Sequence, residues 1–91
     1  MVESMEPLEA LKIIEKRLQE KGYRTRRAEE DGEYVLEVSS PKGKARIRFH
    51  QQLGKLIELH LKYENTPGLT VLKCERYQET LSCIEDLIAR F

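Results

Sequence analysis

From Lys44 to Tyr63 the chain alternates in chemistry. Ala45, Ile47, Phe49, Ile57, Leu59 and Leu61 share one parity, while Arg46, Arg48, His50, Glu58, His60 and Lys62 share the other. A period of two is the mark of strands with one face in a core and one in water. A chain built this way needs something apolar to cover the first face, and the second face stays available to solvent or to a ligand.

Two amphipathic segments bracket these strands and supply the cover. In the first, Leu8, Leu11, Ile14 and Leu18 fall on one stripe with Ala10 beside them, so a helix is expected over about residues 6 to 21. Ser4 or Glu6 stands near its cap, Pro7 in its first turn and Gly22 just past its end. Ile13 lies round the wheel as a flank contact or a small exposed apolar spot. After the break Asn65-Thr66-Pro67-Gly68, residues 70 to 91 read as a second, longer helix. Cys74, Tyr77, Leu81, Ile84, Ile88 and Phe91 form its stripe, and Leu72, Cys83 and Leu87 its flank. Thr70, Val71 and Leu72 suit a short strand nearly as well as a helix start.

Between the helices, Tyr23 to Glu29 and Glu33 to Ser39 read as a hairpin about an Asp31-Gly32 signal. A two-residue loop turns Tyr23, Thr25 and Arg27 inward, whereas a three-residue loop turns Arg24, Arg26 and Ala28 inward. The former is preferred because it buries a tyrosine and leaves Arg24 and Arg26 wet. Charges along this edge strand discourage pairing with other chains. Ser40 to Gly43 make the next turn. A three-residue loop at Gln52 to Gly54 then sets Arg48 opposite Glu58, Arg46 opposite His60 and Phe49 opposite Ile57. The expected fold is a single α+β domain over residues 1–91, with helix, four-stranded antiparallel meander and helix, both helices on one face of the sheet.

Composition narrows the function classes. The 91 residues are 40% hydrophobic and 35% charged, with a formal net charge of zero, so electrostatic recognition must rest on local patches. No run is long and apolar enough to span a membrane and no export leader is visible. Cys74 and Cys83, nine residues apart in one helix, would lie on opposite sides and roughly 13 Å apart along the axis. They are therefore expected to be reduced thiols of a cytoplasmic protein. Abundant charge, a single asparagine and no tryptophan suit a thermophilic source. No phosphate loop, dinucleotide fingerprint, nucleophile elbow or zinc spacing is present, so no cofactor and no enzymatic activity are expected.

The charges are blocked along the chain. Lys42 to Lys62 holds six Lys and Arg against one carboxylate, Lys21 to Arg27 holds four, and Ala28 to Glu37 holds five carboxylates. A sheet face carrying Arg46, Arg48, His50, His60 and Lys62, with Arg24 and Arg26 near one edge, can track a phosphate backbone. An exposed antiparallel face also needs polar residues whatever its role. Aromatic side chains for base stacking are missing from it, since Tyr23, Tyr34, Phe49 and Tyr63 fall on the core parity. The layout is similar to that of a family of single-stranded nucleic-acid-binding proteins of thermophilic archaea, a similarity of architecture that transfers no residue. His50 and His60 lie offset in the expected register and would not share a metal.

The reading is a small non-enzymatic binding module, with single-stranded DNA or RNA held by Arg46, Arg48, His50, His60, Lys62, Arg24 and Arg26. The alternative is a homo-oligomeric protein, such as a homodimer, or an adaptor, whose partner covers an apolar seam of Leu72, Cys83 and Leu87 on the C-terminal helix, with Val35 and Leu56 as a second patch on the outer sheet face.

Overall fold

The computed structural model describes residues 5–91, the side chain of residue 77 excepted; Ser4, and the stripe position given to Tyr77, therefore lie outside the described residues and side chains. The elements run α1 (Pro7–Glu20), β1 (Arg24–Glu30), β2 (Glu33–Ser40), β3 (Gly43–Gln52), β4 (Lys55–Tyr63), β5 (Thr70–Lys73) and α2 (Tyr77–Ala89). The strands form one antiparallel sheet in chain order. The α+β class is as expected, but the sheet has five strands where four were expected. Thr70 to Lys73 pair with β4 because its outer edge would otherwise leave backbone donors and acceptors unmet, and because Thr70 and Val71 favour extended backbone.

Helix α1 buries Ala10, Leu11, Ile14 and Leu18 fully. Pro7 stands at its start, Glu6 takes the cap position without a capping bond, and Gly22 turns the chain out at φ +87°. On the sheet, Leu36, Val38, Ala45, Ile47, Phe49, Leu59 and Leu61 meet this stripe and the inner face of α2 in one core. The sheet side away from the helices stays open.

After β4 the chain departs from expectation at one place, and three consequences follow. Because β5 occupies residues 70–73, α2 begins only at Tyr77, and Cys74 sits outside it. The chain turns back there, bringing the Cα atoms of Cys74 and Cys83 to 6.0 Å, and the two form a disulfide where free thiols were expected. The late start also changes which residues face inward. Thr80 is buried, its hydroxyl 2.7 Å from the Cys74 carbonyl and 2.9 Å from that of Arg76, while Leu81 is left exposed. Finally, Cys83 and Leu87 become core residues with Leu72 packed against them, so the expected apolar seam is closed within the chain itself.

The hairpin registers decide the outer face. The first hairpin has the preferred two-residue loop: Glu30 pairs with Glu33 across Asp31 and Gly32, both with positive φ. Thr25 and Arg27 accordingly face the helices. The third hairpin differs from expectation. Its loop is the two-residue Leu53-Gly54, and an extra residue, Ile57, enters β4 between the pairs His50↔Glu58 and Gln51↔Leu56. Beyond this bulge Arg48 faces His60, Arg46 faces Lys62 and Phe49 faces Leu59. The bulge also moves Leu56 into the core, its N–H donating to the Met5 carbonyl at 3.0 Å, rather than onto the outer face.

Candidate functional site

On the open face the registers write four rows across the strands. The first holds Arg24, Ser39 and Lys44, and the second Arg26, Glu37, Arg46 and Lys62. The third holds Ala28, Val35, Arg48, His60 and Val71, and the fourth Glu30, Glu33, His50, Glu58 and Lys73. Charge therefore changes along the strands, basic at the Arg24 end and acidic at the Asp31 end. The face is not uniformly basic because β2 brings its carboxylates onto the same parity as the arginines of β3.

The arginines lean toward the acidic end. Arg46 donates to Glu30 at 2.5 Å and so spans β2 above Val35, while Arg48 donates to Glu33 at 2.8 Å and reaches Asp31 at 3.4 Å. Arg26 donates to Glu37 at 2.8 Å. These pairs hold the Arg46 and Arg48 guanidinium groups above their ordinary range, chiefly through hydrogen bonds to Glu30 and Glu33 respectively. Val35 does lie on the outer face, but it is only 1% exposed and offers no apolar patch. Arginine stems cover apolar surface while their heads pair in solvent.

Glu33 organises the acidic end, accepting from Arg48, from His50 Nδ1 at 2.7 Å and from the Gln51 N–H at 3.1 Å. Burial pushes its carboxyl up, yet these three donors outweigh burial and hold it below its ordinary value near 4.5. A lowered native pKa means the carboxylate stabilises the fold fully above the unfolded value, and that this contribution is lost as pH falls through the native one. Glu33→Gln is expected to cost about 1–3 kcal/mol at neutral pH, since an amide cannot accept from all three donors. Urea unfolding at neutral pH and below pH 4.5 tests this: the difference between wild type and variant should shrink in acid.

His50 and His60 are brought together, contrary to the expected offset. Their rings stack with centroids 5.5 Å apart, and His60 Nε2 lies 2.8 Å from Glu58. That contact, foremost among its causes, lowers the Glu58 carboxyl. Among the described residues no group of three His, Cys, Asp or Glu is placed to hold a metal.

Two depressions open on this face and meet at Arg46. The larger, about 590 Å³, is lined by Arg24, Arg26, Lys44 and Arg46 with Glu37 and Glu64. The smaller, about 210 Å³, lies between Arg46, Arg48, His60 and Lys62, with Val35 and Leu69 as apolar walls and Glu30 at its rim. Six cations thus stand against three carboxylates. Arg24 and Lys44 make no ion pair among the described residues, and Lys62 reaches only the Thr66 and Gly68 carbonyls, at 3.4 and 3.5 Å. The expected residues Arg24, Arg26, Arg46, Arg48, His60 and Lys62 therefore line one continuous surface, whereas His50 belongs to the Glu33 cluster. Lys44 joins the surface although it was not among the expected contacts; its parity with Arg46 was the signal.

None of the described helices is long and apolar enough to cross a membrane. No protein family, curated protein or solved structure matches this chain.

Proposed function

We propose that this protein is a non-enzymatic binding module that holds single-stranded nucleic acid across the open sheet face, with its phosphates at the Arg24 end. The observation that carries the reading is the pair of adjoining depressions, lined by six cations, on the side of the sheet that neither helix covers. A nucleic-acid backbone needs several cations along a path, and here Arg24 and Lys44 are without carboxylate partners among the described residues. Arg46 and Arg48 must exchange a carboxylate for a phosphate. The exposed Arg46–Glu30 pair is worth about 0–1 kcal/mol, so its exchange weakens binding by at most about fivefold, whereas Arg48 is held more firmly because Glu33 is largely buried. The stacked imidazoles and the exposed Leu69 offer a surface for bases beside the phosphate path. A cytoplasmic, thermophilic setting accommodates the Cys74–Cys83 disulfide, since intracellular proteins of hyperthermophiles are disulfide-rich.

The test is fluorescence anisotropy of labelled single-stranded DNA and RNA at low and moderate salt, on wild type and on Arg24→Ala/Lys44→Ala. Both side chains are exposed, so the fold should be unaffected. The double variant is expected to bind about five- to tenfold more weakly, with a log–log salt slope shallower by about 1.4 for two lost contacts. Absence of binding at low salt, or an unchanged affinity and slope in the variant, would remove this face from nucleic-acid recognition.

A further inference from the structure

Strand β1 is an outer edge of the sheet, and among the described residues nothing pairs with its far side. The opposite edge, β5, is only four residues long, whereas β1 runs for seven. An open edge of that length is a template for another strand unless its side chains forbid it. Read as a list, Arg26, Arg27, Ala28, Glu29 and Glu30 look forbidding. Read antiparallel against itself, the same segment is complementary about Ala28.

We propose that β1 recognises a second copy of this chain. The two β1 strands pair antiparallel about a two-fold axis at Ala28, joining two five-stranded sheets into one. In that register Arg27 faces the partner's Glu29, Arg26 faces the partner's Glu30, and Ala28 faces the partner's Ala28. Every charged pair over these five residues is attractive, and the small side chain sits where two copies approach most closely. Sliding by two residues in either direction sets Arg27 against the partner's Arg27, or Glu29 against the partner's Glu29, so charge selects the register.

Backbone geometry agrees with it. The Asp31-Gly32 turn closes on the pair Glu30↔Glu33, which aims the backbone groups of Glu30, and of every second residue before it, toward β2. Those of Arg27 and Glu29 then face outward, and these two residues are opposed in the proposed register. Helix α1 packs across β1, β2 and β3 rather than outside the edge, leaving room for a neighbouring strand at about 4.8 Å. The side chains are also suitably placed. Glu29 makes no ion pair among the described residues, and Arg27, held by Glu15 at 2.9 and 2.7 Å, is kept in position while still half exposed. The interface shares Arg26 and Glu30 with the rims of the two depressions, where they already meet Glu37 and Arg46, so Arg27 and Glu29 carry the recognition; the proposal does not depend on the nucleic-acid reading.

The experiment is sedimentation velocity of the full chain over a concentration series, with single charge reversals. Wild type is expected to dimerise, and Glu29→Arg, which turns two attractive pairs repulsive, to raise the dissociation constant by about tenfold or more. Arg27→Glu should do the same, and an equimolar mixture of the two variants should dimerise again, because each then meets its complement. Ala28→Cys should form a chain-to-chain disulfide at position 28, identified by peptide mass spectrometry, since facing Cα atoms in a non-hydrogen-bonded pair lie about 4.5 Å apart. If Arg27→Glu fails to fold, Glu29→Arg and Ala28→Cys still decide. A wild-type monomer at every concentration, a dimer indifferent to Glu29→Arg, or no crosslink at position 28 would overturn the proposal.

Discussion

Truncation of Leu87 to alanine is expected to lower folding stability by about 2–5 kcal/mol while leaving the mass of the protein in solution unchanged. Leu87 is fully buried in the common core of α1, α2 and the sheet. Its loss removes apolar contact and leaves a cavity that a small core closes poorly. Domains of this size have about 5–15 kcal/mol in hand, so the loss is a large fraction of the whole. Leu87→Asp should be more severe, because an unpaired carboxylate in that core has no donor to meet it. Urea unfolding gives the first quantity and light scattering of the folded protein the second. A change of oligomeric state at unchanged stability would mean that Leu87 is at an interface after all.

Removing the disulfide is the second large effect. The Cys74–Cys83 bond closes a loop of about ten residues, for which chain-entropy reasoning gives about 2–3 kcal/mol of stabilisation. Its position adds weight to the estimate, since α2 starts without a side-chain cap and the bond ties its second turn to the end of β5. The Thr80 hydroxyl, against the Cys74 carbonyl, secures the same junction. Cys74→Ala/Cys83→Ala is expected to melt roughly 10–20 °C below the oxidised wild type. Reductant should lower the wild type toward that value and leave the variant unmoved. Equal melting of wild type with and without reductant would show that the bond does not form in solution.

The candidate surface was partly visible in the chain. Arg46, Arg48, His60 and Lys62 were placed on the outer parity by alternation alone, and Arg24 and Arg26 by the two-residue Asp31-Gly32 turn. Neutralisation of their central part was harder to see, because Glu30, Glu33 and Glu37 come from another block of the chain. The acidic block is plain in the chain, and parity puts these three residues on the outer face. Matching each to its arginine, however, requires the register of three strands at once. The histidine pair shows the same limit: the two-residue Leu53-Gly54 loop and the extra residue at Ile57 each shift β4 by one position, and together they convert an offset pair into a stacked one.

Periodicity was enough to establish the layering, because the period of a strand and the stripe of a helix are local properties of neighbouring residues and burial follows from them directly. It could not establish where α2 begins. Thr70 to Lys73 suit either conformation locally, and the choice is made by the unpaired edge of β4, which offers hydrogen bonds to a strand and none to a helix. That single decision brings the two cysteines together, buries Thr80 in place of Leu81 and seals Leu87 inside. Each is a contact between segments distant in the chain, set by free energy that appears only when those segments meet.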